Sequence, residues 1–190
     1  KILARLVGFS HKLSYHTPQG LVTSGGFPIQ MDVLARYFER VILCVPVRVD
    51  QKGIGKIIGA PAVSTRPLPE FQGRWDFFKK LLVVRREILA SLEESDLALA
   101  IMPGYIGALA STLCQRRAFP LFQWVVGDWG ELVVGARNEN PWKRQLAKGL
   151  LKPGLNFMMI KLSHHVLTFF NGKIIYDSGQ PHHHVRISSS

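Results

Sequence analysis

Short, nearly unbroken apolar runs alternate along this chain with longer amphipathic stretches. The runs are residues 3–9, 41–47, 97–101, 120–127 and 165–169. Continuous apolar runs of this length predict strands buried on both faces. Between them, residues 28–39, 74–94, 105–115 and 141–163 carry apolar side chains at helical spacing. In the first of these stretches, Met31, Leu34, Tyr37 and Phe38 are predicted to share one face. In the second, the predicted buried stripe runs through Phe78, Leu81, Leu82, Ile88, Leu89 and Leu92. Lys79, Lys80, Arg85 and Arg86 form its wet flank. Pro153 predicts a kink in the last helix. Residues 11–26 and 51–60 read as loops, and 66–71 as a short edge segment. His182, His183 and His184, followed by Arg186, read as a solvated loop. Strands alternating with helices predict an α/β chain with a Rossmann-like, doubly wound, mainly parallel sheet, because parallel strands need crossover helices. In such sheets ligands bind beyond the carboxyl ends of the strands. The loops expected to face a ligand are then 11–26, 102–104, 127–130 and 170–172.

Composition narrows the partners. The chain has 190 residues, 47% hydrophobic and only 19% charged, which describes a globular chain and excludes a disordered one. Its net charge of +11 points to an anionic partner such as a nucleotide, nucleic acid, a phospholipid surface or an acidic glycan, although charge alone equally suits a solvated basic surface with no partner. Nucleic-acid signatures are missing: there is no zinc-finger spacing and no aromatic run of the RNA-binding kind. Two cysteines outside any CxxC motif suit a reducing compartment better than a disulfide scaffold. Residues 97–115 carry no charge and are followed by Arg116-Arg117, in the manner of a membrane span. Pro103, Gly104 and Gly107 interrupt that stretch, which therefore reads as strand, turn and helix. The final residues, Ile187-Ser188-Ser189-Ser190, look cut, so residues 1–187 are expected to be one domain and 188–190 the start of a linker.

The candidate chemistry sits in the loops. Ser24-Gly25-Gly26-Phe27-Pro28 reads as a glycine turn feeding a helix N-terminus. Adjacent glycines let backbone N–H groups approach a phosphate, and the helix dipole favours the negative charge. The same residues also suit an ordinary left-handed turn, and no complete dinucleotide fingerprint or P-loop is present. Asp128 follows a predicted strand, where a carboxylate can hold a sugar hydroxyl or accept a proton; a loop aspartate capping the next segment is the plainer alternative. Trp124 and Trp129 flank it, and Trp124 suits core packing. The histidines make no metal set: His164 and His165 are adjacent, and His182–His184 lack an acidic partner. Residues 141–163 hold Lys143, Arg144, Lys148, Lys152 and Lys161 and no acid, so this helix suits either an anionic membrane surface or a solvated basic face.

Taken in order, Thr23 to Gln30, the strand ending in Val45-Pro46-Val47-Arg48, Trp124 to Trp129, and His165 to Gly172 resemble the N-terminal domain of family 4 glycosyltransferases. The resemblance spans nearly the whole chain. It implies one half of a GT-B fold, in which two Rossmann-like domains face each other across a cleft. It further implies transfer of a sugar from a nucleotide-diphosphate sugar to a glycan or lipid-linked glycan acceptor, with retention and without a bound metal or other cofactor. The acceptor-side half would contribute Gly25 and Gly26 to the donor diphosphate, Asp128 to acceptor contact or catalysis, and Tyr105 and Asn171 to the cleft wall. Peripheral contact with the inner face of the membrane would run through the basic helix, and the location would be cytoplasmic. Three departures stand out. Met102 occupies a strand end where relatives often have a polar residue. Trp129 follows Asp128 directly, where relatives often place proline. Glu131 and Glu139 have the spacing of the family's donor motif but lie in the wrong half. The alternatives are a non-enzymatic membrane-surface module and a dinucleotide-binding oxidoreductase, for which Asp50 would be the acid after the second strand.

Overall fold

The computed structural model describes residues 2–50, 53–126, 157–158, 161–162, 166–171 and 184–187. The first strand, β1 (Ile2–Phe9), is followed by β2 (Ser14–Thr17), β3 (Gly20–Thr23) and α1 (Phe27–Leu34). Next come β4 (Phe38–Val49), β5 (Lys56–Ile57), β6 (Val63–Leu68) and α2 (Gly73–Glu93). The remaining elements are β7 (Leu97–Met102), α3 (Tyr105–Arg116), β8 (Leu121–Val125), β9 (Leu167–Asn171) and β10 (His184–Ile187).

Seven of these strands pair parallel in the order β6-β4-β1-β7-β8-β9-β10. Renumbered along the chain, that order is 3-2-1-4-5-6-7. It is the doubly wound Rossmann-like arrangement, with its reversal between β1 and β7. The strands alternate sides with period two, as pleating requires. Val7, Phe9, Ile42, Cys44 and Ala98 point to one face, where α2 and α3 cover them. Leu6, Val41, Leu43, Leu99 and Ile101 point to the other, where Met31 and Phe27 of α1 pack. The uncharged stretch expected to be strand, turn and helix is β7 followed by α3. No helix among the described residues is long and apolar enough to cross a membrane.

Several local expectations change. The 11–26 loop contains a β-hairpin: β2 pairs antiparallel with β3, and Ser14, Tyr15 and His16 add parallel to the far end of β4 at Val47, Arg48 and Val49. The 51–60 loop contains β5, which extends the hairpin. The segment expected at 66–71 is β6, a full edge strand beside β4. Helix α1 stops at Leu34; Arg36 and Tyr37 donate to carbonyls three residues back, and Phe38 already starts β4. Tyr37 is therefore exposed and does not share a face with Met31. The buried stripe of α2 runs through Phe77, Val84, Ile88 and Leu92, while Phe78 and Leu82 face outward. His184 begins a strand, not a loop, because His184-Val185-Arg186-Ile187 alternates and pairs with β9. The expected basic helix at 141–163 and its kink lie largely outside the described residues.

Candidate functional site

The two central strands are tied together at their N-terminal end. At the N-terminal end, Asp96 just before β7 accepts three bonds from Arg5 of β1: one from its backbone N–H at 2.9 Å and two from its guanidinium at 2.9 and 3.1 Å. The arginine holds the Asp96 carboxyl down at about 2. At the C-terminal end, β1 runs into Ser10-His11-Lys12 and β7 into Met102-Pro103-Gly104. Ligands of doubly wound sheets enter at this edge, where the strand order reverses.

His11, just after β1, lies against Gly104, just after β7. A Cβ built on Gly104 would lie 2.3 Å from His11 Nδ1 and 2.7 Å from its Cγ. The imidazole thus rests directly on the Gly104 backbone, and only glycine leaves room for it. The His11 side chain is exposed to solvent, yet partial desolvation by its surroundings, with help from the Lys12 charge, lowers its pKa below the usual histidine value. The ring is therefore neutral at neutral pH. Gly104 is also the N-cap of α3, and its carbonyl accepts from Ala108 N at 2.9 Å.

Lys12 reaches the glycine turn. Its Nζ lies 3.8 Å from where a Cβ on Gly25 would stand. Gly25 has φ +76°, which L side chains adopt at a cost, so the turn requires glycine there. Gly26 is different: it is the N-cap of α1 in ordinary right-handed geometry, and the nearest atom to an added Cβ is Gln30 Nε2 at 4.0 Å. Its carbonyl accepts the first helical bond from Gln30 N at 3.1 Å. Pro28 has no N–H, so Gly26, Phe27 and Ile29 carry the helix's unpaired first-turn donors. The loop between β1 and the hairpin is fixed from within. Lys12 N donates to Ser10 Oγ at 3.2 Å, Ser14 Oγ to Lys12 O at 3.3 Å, and Thr23 Oγ1 to Leu13 O at 3.2 Å.

The other expected residues are spread along the same edge. Tyr105 opens α3, and its ring stacks on Phe77 at 5.2 Å and meets Phe71 edge-on at 6.4 Å, so it packs into the aromatic cluster under α2. Asn171 ends β9, two strands from β7, or about 10 Å across the sheet. Asp128, Trp129, Glu131 and Glu139 lie outside the described residues; β8 ends at Val125, and Val126 N donates to Met102 O at 2.8 Å. Met102 is fully buried and packs with Val125 and Phe170. Trp124 belongs to the core on the α1 side of the sheet. Behind β8, buried Gln123 donates to Ser111 Oγ at 3.0 Å and to Leu162 O at 2.9 Å, a scaffold contact.

His11 and Lys12 were not singled out from the sequence. The signal was present: they are the second and third residues after the first strand, where a Rossmann-like sheet puts its ligand loop. Together the edge offers a cation, an imidazole, a glycine turn and two helix N-termini, an arrangement suited to phosphate. Among the described residues, no three His, Cys, Asp or Glu side chains gather as a metal site would require. No protein-family model matches the chain, and no curated protein matches it.

Proposed function

We propose that this chain is the acceptor-side half of a GT-B glycosyltransferase. It would act in moving a sugar from a nucleotide-diphosphate donor to a glycan or lipid-linked acceptor. The observation that supports this most is the meeting of Lys12, the Gly25-Gly26 turn and the His11–Gly104 contact at the reversal of the strand order. In this role the turn and Lys12 approach the donor diphosphate from one side. The charge that develops on the leaving phosphate is met by backbone N–H groups and a cation, which is electrostatic stabilisation. Neutral His11 can donate or accept a hydrogen bond beside it. Asp128 is retained as the acceptor-side carboxylate and Asn171 as a cleft residue at the same sheet edge.

A dinucleotide-binding oxidoreductase fits less well. Asp50 lies six residues beyond Cys44, the last partner of β1 on β4, which is roughly 20 Å along the strand. The hairpin also separates β1 from α1, whereas a dinucleotide fingerprint joins strand to helix directly.

The test is Gly26→Val in the full-length enzyme. Position 26 has ordinary backbone geometry and open space. The variant is therefore expected to fold normally and to lose sugar transfer from nucleotide-diphosphate sugars. Undiminished turnover by a folded variant refutes the phosphate role of the turn.

A further inference from the structure

Helix α2 is apolar on two sides, and the sheet uses only one. Phe77, Val84 and Ile88 pack into the core. On the other side Trp75, Phe78 and Leu82, at i, i+3 and i+7, are 70%, 55% and 79% exposed. The Trp75 and Phe78 rings stand 6.3 Å apart, so the stripe is continuous. Contiguous exposed apolar patches of this kind mark interaction surfaces.

Charge selects the occupant. At helical spacing, Arg74 and Arg85 border the stripe on one side and Lys79 and Arg86 on the other, and all four are exposed. The Arg74 guanidinium lies over the Trp75 ring at 5.4 Å. Asp76 is engaged by Lys80 at 2.9 Å, Glu87 bonds Arg86 and Arg66, and Glu93 stands at the far end of the helix. In a two-fold contact this patch would meet itself, setting Arg74, Lys79 and Arg85 against their own copies. A bilayer of anionic phospholipid suits the pattern instead. The apolar side chains enter the boundary between headgroups and acyl chains, and the flanking Arg and Lys reach up to phosphate.

We propose that α2 docks the chain on an anionic membrane surface through Trp75, Phe78 and Leu82. These side chains belong to α2 and not to the basic stretch at 141–163, and the docking does not depend on the sugar-transfer role.

The experiment is co-sedimentation of the whole chain with phosphatidylglycerol–phosphatidylcholine vesicles and with pure phosphatidylcholine vesicles, at low and high salt. Wild type is expected to bind the anionic vesicles, to bind them more weakly but measurably at high salt, and to leave the neutral ones. Phe78→Ser/Leu82→Ser, both at exposed positions, is expected to keep the wild-type Tm and to bind the anionic vesicles at least tenfold more weakly. Ile29→Ser/Val33→Ser, on the exposed side of α1, is expected to bind as wild type does. Three results overturn the proposal: no binding of wild type to anionic vesicles; undiminished binding by the α2 variant while Lys143→Glu/Lys148→Glu/Lys152→Glu abolishes it; or a wild-type dimer in sedimentation velocity that the α2 variant dissolves.

Discussion

Replacing Gly104 by alanine tests the contact between the loops that follow β1 and β7. The φ of Gly104 is 163°, extended backbone that any residue adopts, so no backbone strain is added. The added methyl instead lands 2.3 Å from His11 Nδ1, 2.7 Å from Cγ and 3.1 Å from Cβ. Because the clash includes ring and Cβ together, a rotamer change alone does not relieve it, and the 10–12 loop must shift. Overpacking of this kind costs about 2 kcal/mol. With a urea m-value of about 2 kcal/mol/M, the unfolding midpoint falls by about 1 M. In a His11→Ala background only the 3.1 Å contact remains, and the same substitution is expected to cost about 0.5 kcal/mol. The double-mutant cycle therefore predicts a coupling of about 1.5 kcal/mol. Urea unfolding followed by circular dichroism measures all four proteins. Penalties that simply add, within about 0.5 kcal/mol, would show that the imidazole does not rest on Gly104.

Three further expectations follow from single sites. His11 has a lowered pKa in the fold, so above about 6.5 both folded and unfolded chains hold it neutral and stability is full. As pH falls through that value the unfolded chain takes up a proton the fold resists, and stability declines, modestly because the ring is exposed, until the folded pKa is reached; a wild-type decline no steeper than that of His11→Asn contradicts this. Gly25→Ala, at φ +76°, is expected to lose about 1–2 kcal/mol, and Gly26→Ala about 0.5 kcal/mol, by thermal unfolding; equal losses contradict the difference in backbone geometry. Burial pushes the thiols of Cys44 and Cys114 up to about 12, and Cys44 pairs with Ser91 Oγ at 2.8 Å, so both resist alkylation at neutral pH until the chain unfolds; rapid native labelling of either contradicts the packing.

The central sheet was legible because β1, β4 and β7 are buried on both faces and read as unbroken apolar runs. The hairpin was not, because the buried positions of β2, Ser14 and Thr17, are polar and β3 adds only Leu21 and Val22 as buried apolar residues beside Thr23. Ser14, Thr17 and Thr23 are buried, yet their hydroxyls are satisfied within the loop, Thr17 Oγ1 by Gly20 O at 3.0 Å and Thr23 Oγ1 by Leu13 O at 3.2 Å. Hydropathy cannot register a strand held that way. Helix α1 ran too far in the sequence because no glycine or proline stops it after Leu34; the pairing of Phe38 with Ile2 ends it. In α2, Phe78 and Leu82 were assigned to the core because hydropathy does not distinguish an apolar side chain facing the sheet from one facing out. The site was half legible. The glycine turn announces itself in sequence, whereas His11 gains its meaning only when β7 is set beside β1 and brings Gly104 under its ring.

The central claim is the proposal that the loops at the C-terminal ends of β1 and β7 receive a phosphorylated ligand. Amide NMR of the chain during titration with a nucleotide-diphosphate sugar tests it most directly. The resonances of His11, Lys12, Gly25, Gly26 and Gly104 are expected to shift together and saturably, and Lys12→Ala is expected to weaken the response. Shifts confined to another part of the molecule, such as the groove lined by His16, Leu21 and Thr65, or no saturable shift at all, would contradict the claim.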